Sequence, residues 1–124
     1  MSDHVLLLVG AALTGLWGAS HLFPTRGVVK GFGDISPDNR HIITMEWIVE
    51  GAFLIFMGAL VAAVTLIDHD GAVSRAVFAA CVIGLLVIAA VSAFTGFKVK
   101  FIVFKLCPVI FSASAALIGA GALV

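Results

Sequence analysis

Four long apolar segments constrain this chain more than any other feature. They cover residues 5–23, 42–67, 76–94 and 101–124. Each is long enough to cross a bilayer as an α-helix, which needs about 20 mainly apolar residues. The runs are continuous rather than alternating, which favours helices over a β-barrel, and a helix satisfies its own backbone hydrogen bonds in lipid. We therefore predict an all-α fold, an integral membrane four-helix bundle.

The composition agrees with this class. Hydrophobic residues make up 62% of the chain and charged residues 11%, and the mean hydropathy is +1.23. A length of 124 residues is enough for a single transmembrane domain, residues 1–124. The formal net charge is zero, so no electrostatic attraction to nucleic acid is expected. The expected partner of so apolar a chain is the lipid bilayer.

The first apolar segment could be mistaken for a signal peptide. Residues 1–4 contain no Lys or Arg, and the run over residues 5–23 exceeds the usual signal core of about 7–15 residues. We therefore interpret this segment as a membrane helix.

The basic residues are distributed unevenly between the connections. Short loops rich in Lys and Arg are retained in the cytoplasm. Those around the first and third connections are Arg26, Lys30, Arg40, Lys98, Lys100 and Lys105, whereas the second holds only Arg75. We therefore predict that both termini lie on the non-cytoplasmic side. The predicted location is the cell inner (plasma) membrane, as a multi-pass protein.

The first connection, residues 24–36, is the only one long enough to hold structure outside the bilayer. It ends in a sequence typical of a helix start. Ser36 suits the N-cap, Pro37 the first helical position and Asp38 the positive end of the helix dipole. We therefore extend the second helix to residues 37–67. The glycine-rich part of the connection either folds back on the bundle as a lid or forms a flexible loop at the interface.

Two carboxyl groups lie inside the second apolar segment. Glu46 and Glu50 are one helical turn apart and project from the same face. An ionised group near the hydrocarbon costs about 2.5–3.5 kcal/mol on insertion scales, so the pair needs partners, protons or a water-filled cavity. We predict that both are catalytic, as acid and base, together with His21 at the same cytoplasmic end. The alternative is that Glu46 is solvated at the interface and Glu50 hydrogen-bonds a neighbouring helix, so that the pair only holds the bundle together.

The residues predicted beside the glutamates each have a structural alternative. Lys105 is a candidate counter-charge, but a lysine near a helix end can also reach the headgroups. His21 can donate to a carboxylate, shuttle protons or cap its own helix. Trp47 can stack on a ligand or anchor its helix at the interface. The predicted ligand-binding residues are His41, Trp47, Lys105, Arg40 and Asp38.

The histidines and acids lack the spacing of metal ligands. His41 and Glu46 are five residues apart and on different faces of a helix, and no Glu-x-x-His or His-Glu-x-x-His occurs. One arrangement stays open, a site shared across helices by His21, Glu46 and Glu50. We predict no metal site, and the sequence names no cofactor.

Two further patterns concern packing. Cys81 and Cys107 should lie near opposite membrane faces, so no disulfide is expected, since their alpha carbons would have to come within about 7 Å. Small residues recur every fourth position on the first and last helices and predict contact faces. They are Ala11, Gly15, Ala19, Ser112, Ala116 and Ala120. These faces join helices of one chain or of two, and we expect a homo-oligomer.

Three functional hypotheses follow. The first is a pocket at the cytoplasmic end that binds or acts on a small lipophilic molecule, with Glu46 and Glu50 as acid and base. The second is a proton-coupled small transporter that works as a dimer. The third is an accessory or structural subunit of a membrane complex, in which the polar residues serve only packing.

Overall fold

A computed structural model describes residues 3–123, and within that range all regular structure is helical. The five helices are α1 (Asp3–Leu22), α2 (Thr25–Gly31), α3 (Pro37–Asp68), α4 (Ala72–Gly96) and α5 (Ile102–Leu123). All but α2 are long and apolar enough to cross a membrane. The all-α prediction is confirmed, and the four long helices match the four apolar segments. The additional helix, α2, lies in the first connection, for which the sequence predicted no defined structure.

The start of α3 has the predicted cap. The Ser36 hydroxyl accepts a hydrogen bond from the Asn39 backbone N–H at 3.2 Å, and Pro37 follows at the first helical position. The helix has 32 residues, a length of about 48 Å at 1.5 Å per residue. It therefore exceeds the hydrocarbon thickness of about 30 Å.

The long helices form a bundle with one loose seam. Helix α1 packs extensively on both α3 and α5, and α5 packs on α4. Helices α3 and α4 are consecutive in the chain but touch each other much less. At one end of the bundle, α2 lies near the 97–101 connection, and this end is called the α2 end. The start of α1, the α3–α4 turn and the end of α5 meet at the opposite end.

Glycines bring α1 and α3 into backbone contact. A Cβ added to Gly18 would lie 2.7 Å from the Gly51 carbonyl oxygen, and one added to Gly58 would lie 2.6 Å from the Ala11 carbonyl oxygen. Ordinary contacts between heavy atoms are about 3.5–4.0 Å, so neither position accepts a side chain at this separation. Close backbone approach at small residues is the packing mode expected of helices in lipid.

The two predicted small-residue faces differ in the structure: one packs inside the chain and the other is exposed. On α1, Ala11 and Gly15 lie against Gly58 of α3, so this face is a contact within the chain. On α5 the predicted face is exposed within the described residues. Its residues are Ser112, Ala116 and Ala120. The face of α5 that does pack inside the chain carries the larger Phe111 and Ile118, both fully buried.

The outer surface of the bundle is apolar. Leu16, Leu66 and Phe94 are each more than 70% exposed, and many other large apolar side chains also point outward. A soluble monomer rarely exposes contiguous apolar patches larger than a few hundred Å². The exposed surface therefore agrees with four apolar helices whose solvent is lipid.

Helix α5 contains a proline in its interior. The helix begins at Ile102, so Pro108 lies in its second turn rather than at its start. Proline has no backbone N–H, which leaves the carbonyl of Phe104 without its usual helical donor. The same carbonyl faces α4, where a Cβ on Gly96 would lie only 2.6 Å from its oxygen. Gly96 thus lets the two chain segments approach at the α2 end.

Candidate functional site

His21 is the most buried of the predicted site residues. It lies in the last turn of α1 with 4% of its surface exposed. Its Nδ1 lies 2.9 Å from the Trp17 carbonyl oxygen. A carbonyl only accepts, so Nδ1 carries a hydrogen and donates it to this oxygen. Nε2 lies 3.7 Å from Glu50 Oε1, which is too long for a hydrogen bond.

Trp47 connects the ends of three helices. Its indole N–H donates to the backbone carbonyl of His21, which is one of the last carbonyls of α1. Its ring centroid lies 4.9 Å from that of His21 and 5.6 Å from that of Phe104 on α5. Trp47 therefore satisfies a carbonyl at the end of α1 and joins an aromatic cluster built from α1, α3 and α5.

Helix α2 is held in place by contacts at its beginning and middle. The Thr25 hydroxyl lies 3.1 Å from the His21 carbonyl oxygen and 2.9 Å from that of Leu22. Val29 is buried, and α2 packs against α3. The segment between α1 and α3 is thus an ordered cover on the bundle, as the lid alternative requires.

A cavity of about 420 Å³ lies beneath α2, called here the aromatic cavity. Its volume falls at the lower end of the range of about 300–1,000 Å³ that is usual for small-molecule sites. The aromatic residues of its wall are Trp17, His21, Phe32, Trp47, Phe101 and Phe104. Ser20 and Cys107 add a hydroxyl and a thiol to the polar atoms of the His21 ring, and α2 contributes Gly27, Val28 and Gly31.

A second cavity of about 400 Å³, the acidic cleft, opens along the seam between α3 and α4. Glu46 and Glu50 line it together, as their shared helix face predicts. Glu46 is exposed, and the Glu50 side chain is 42% exposed. The remaining wall is apolar and includes Phe53 of α3 and Ile88 of α4.

The predicted single site is therefore divided between two cavities. His21 lines the aromatic cavity, the two glutamates line the acidic cleft, and Trp47 lines both. The approach of His21 Nε2 to Glu50 is the direct link between them. Trp47 is thus part of the wall of both cavities.

Half of the predicted site residues line neither cavity. These are Lys105, His41, Arg40 and Asp38. Within residues 3–123, Lys105 has no carboxylate oxygen within 4.0 Å, so the expected ion pair with Glu46 is absent. The other three lie in the exposed first turns of α3, where the Arg40 carbonyl accepts a hydrogen bond from Thr44.

Several residues of the aromatic cavity were not identified from the sequence. Trp17 and His21 are four apart on α1, so their shared face was a usable signal. Phe104 and Val28 come from separate segments, and no spacing in the sequence brings them together. The Trp17 indole N–H is buried and hydrogen-bonds no described residue.

The remaining thiols and acids form no metal-binding group. Cys81 and Cys107 are both buried and free, as predicted. Among residues 3–123, no three His, Cys, Asp or Glu side chains are grouped closely enough to hold a metal ion. The arrangement of His21 with the two glutamates is therefore a contact between His21 and Glu50 rather than a three-ligand site.

A pair of histidines lies at the opposite end of the bundle. The His4 and His69 ring centroids are 3.7 Å apart, and His69 Nε2 lies 3.3 Å from the Asp70 carboxylate. The α3–α4 turn is also braced by the Arg75 guanidinium, which donates to the Asp70 carbonyl oxygen at 2.8 Å. The contact between the His4 and His69 rings ties the start of α1 to the turn.

Comparison with known proteins yields no relative from which a function could be transferred. No protein-family model matches the chain, and neither the curated proteins nor the solved structures contain a significant match.

Proposed function

We propose that this chain is a multi-pass protein of the cell inner membrane that binds a small lipophilic molecule in the aromatic cavity. The α2 end faces the cytoplasm and both termini face the other side, because six of the seven basic residues lie around the first and third connections. Four helices of spanning length support the membrane assignment.

The observation that carries the proposal is the aromatic cavity itself. It is enclosed by α1, α3 and α5, covered by α2, and lined almost entirely by apolar and aromatic atoms. Apolar pockets with a few convergent polar groups are typical of small-molecule sites. The polar groups here are the His21 ring, the Ser20 hydroxyl and the Cys107 thiol. A flat aromatic or polyisoprenoid-like molecule would complement such a wall.

The binding test uses the chain's own fluorophores. Both tryptophans of the chain, Trp17 and Trp47, line the cavity. We would titrate 1-bromonaphthalene into the protein in phosphatidylcholine nanodiscs and record heavy-atom quenching of their emission. A molecule that only partitions into lipid gives quenching linear in concentration, whereas occupancy of the cavity adds a saturable component.

A matched pair of substitutions tests whether the saturable component of the quenching arises from the aromatic cavity. Val28→Phe adds volume at the cavity wall, and Val109→Phe adds the same volume on an exposed face of α5 that lines neither cavity. We expect the saturable component in the wild type and in Val109→Phe, and its loss in Val28→Phe. Linear quenching in all three proteins would contradict the proposal.

Topology is tested separately. The two native thiols are buried, so a cysteine introduced at Lys100 or at Asp70 is the main target of a membrane-impermeant maleimide. In intact spheroplasts we expect labelling at position 70 and none at position 100 until the membrane is opened. The reverse pattern would place the α2 end outside the cell.

A second candidate function is a proton-coupled carrier that works as a homodimer. It is favoured by one observation, the loose α3–α4 seam that contains both Glu46 and Glu50. Carboxyls at such a seam could exchange protons for a cation as the helices move apart. This hypothesis expects crosslinked dimers and loss of uptake in Glu50→Gln. The accessory-subunit hypothesis expects the same substitution to change only stability.

A further inference from the structure

We propose that the α2 end of the bundle carries a surface that binds the headgroups of anionic phospholipids. This surface, called here the basic surface, consists of residues 24–33 and 97–105, which cover α2, the α4–α5 connection and the first turn of α5. The proposal rests on the insertion of the four long helices in a bilayer, and it requires no ligand in the aromatic cavity.

The first argument is charge. The basic surface contains five basic residues and no acidic one, although the whole chain has a formal net charge of zero. The five are Arg26, Lys30, Lys98, Lys100 and Lys105. Among residues 3–123, no carboxylate oxygen lies within 4.0 Å of any of their side-chain nitrogens. The described part of the chain thus leaves these charges uncompensated, and an anionic partner complements them.

The acids of the chain belong to other segments. Asp34 and Asp38 lie in the segment that leads into α3, and Glu46 and Glu50 line the acidic cleft. At the opposite end of the bundle the balance is reversed, because residues 68–75 contain two aspartates and one arginine. Positive charge is therefore concentrated on one surface at one end.

The second argument is that the fold brings the two segments together. They are far apart in the sequence, but residues of both line the same aromatic cavity. On α2, Arg26 and Lys30 are exposed and one helical turn apart, and Lys98 and Lys100 are exposed in the α4–α5 connection. The basic residues of the two segments therefore lie on the same side of the bundle.

The third argument is depth. Lys98 and Lys100 lie between the end of α4 and the beginning of α5, and Arg26 lies in the first turn of α2, just after the end of α1. The ends of helices that span a bilayer lie at the level of the headgroups. A lysine or arginine at that level can reach phosphate groups while its apolar stem stays along the acyl chains.

The fourth argument is the presence of exposed aromatic rings beside the charges. Phe97 and Phe101 flank the two lysines and are 56% and 68% exposed, and Phe32, just after α2, is 52% exposed. Exposed phenylalanine combined with lysine and arginine is typical of segments that lie in the membrane interface. A positive-inside topology alone requires the basic residues but not the rings. The combination favours a bilayer surface over a soluble acidic partner.

The test measures which lipid surrounds the α2 end. Trp17 and Trp47 line the aromatic cavity at this end, so quenching of their emission by brominated lipid reports the composition of the adjacent leaflet. The protein is placed in phosphatidylcholine nanodiscs with a minor fraction of phospholipid brominated near the top of the acyl chain, either phosphatidylglycerol or phosphatidylcholine. One basic residue near an anionic surface is worth about fivefold in affinity, so we expect phosphatidylglycerol to be preferred by at least about fivefold.

Salt provides a test that needs no variant. The Debye length falls from about 10 Å at about 0.1 M salt to about 3 Å at about 1 M. We expect the preference for phosphatidylglycerol at the lower salt concentration and nearly equal quenching by the two lipids at the higher one. A preference that persists undiminished at about 1 M salt would have a cause other than charge and would contradict the proposal.

Matched double substitutions then locate the surface. Lys98→Gln with Lys100→Gln removes two charges from the basic surface and should reduce the preference by at least about fivefold. Arg40→Gln with Arg75→Gln removes the two basic residues that lie outside it and should leave the preference unchanged. Far-UV circular dichroism checks that both proteins are folded. Equal losses in the two double variants would show that only the total charge matters, and equal quenching by the two lipids in the wild type would refute the surface altogether.

A final variant separates this proposal from the proposed function. Val28→Phe alters the aromatic cavity and removes no charge, so the preference for phosphatidylglycerol should be unchanged. Its loss in this variant would place the anionic lipid inside the cavity and overturn the inference. Purely linear quenching by 1-bromonaphthalene would refute the proposed function and leave the lipid preference as expected here.

Discussion

The close crossing of α1 and α3 gives the sharpest stability prediction. Gly18→Ala places a Cβ 2.7 Å from the Gly51 carbonyl oxygen, 2.7 Å from Leu54 Cβ and 2.8 Å from the Ile55 nitrogen. All three atoms belong to α3, and two of them are backbone atoms that cannot rotate away. The new methyl group can be accommodated only if the two helices separate.

The size of the effect follows from those distances. Carbon contacts are normally about 3.5–4.0 Å, so the helices would have to move apart by roughly 1 Å along their contact. Overpacking of this kind typically costs about 1–3 kcal/mol. The gain in helix propensity from glycine to alanine, up to about 1 kcal/mol, offsets part of that. We expect a net destabilisation of about 1–2 kcal/mol.

The same helix provides the control. A Cβ on Gly15, three residues earlier, would meet nothing within 4 Å, so Gly15→Ala should be neutral or slightly stabilising. Both variants would be unfolded by SDS titration in dodecylmaltoside micelles and followed by far-UV circular dichroism. If Gly18→Ala unfolds at the same SDS fraction as Gly15→Ala, the backbone contact between α1 and α3 is not as close as described.

Three further predictions use the same assay or a simple chemical probe. Trp47→Phe keeps an aromatic ring but removes the hydrogen bond to the His21 carbonyl, and should cost about 1 kcal/mol in the SDS titration. No loss of stability would show that this bond is not formed. Phe78→Ala removes a side chain that is 0% exposed and should cost about 3–5 kcal/mol, whereas Phe56→Ala, 60% exposed, should cost far less; equal losses would contradict the core assignment. The two cysteine thiols are 6% and 7% exposed, so maleimide should label the folded protein much more slowly than the SDS-unfolded protein, and equal rates would show that they are accessible.

The long helices were predictable because each one depends on the residues of its own segment. A mainly apolar segment of about 20 residues defines each span, and the Ser36-Pro37 pair defines where α3 begins. Helix α2 was not predictable in this way. It has seven residues, two of them glycine, and its order depends on the Thr25 hydroxyl bonding to carbonyls of α1 and on packing against α3. Those contacts exist only once the bundle has formed.

The candidate site shows the same limit. The spacing of Glu46 and Glu50 on one helix predicted their shared face, and the structure places both in one cleft. Which other helices face them depends on how each long helix is rotated about its axis. Gly51 lets α1 approach and brings His21 beside Glu50, while Lys105 of α5 lies apart from both acids. A single sequence contains no signal for that rotation.

The position of Trp47 has a consequence for how the two cavities would behave together. Because Trp47 lines both cavities, its ring cannot move toward one cavity without enlarging the other. Its indole nitrogen is tethered to the end of α1, so the ring can pivot about that attachment more easily than it can translate. A substitution at Trp47 therefore changes the walls of both cavities at once.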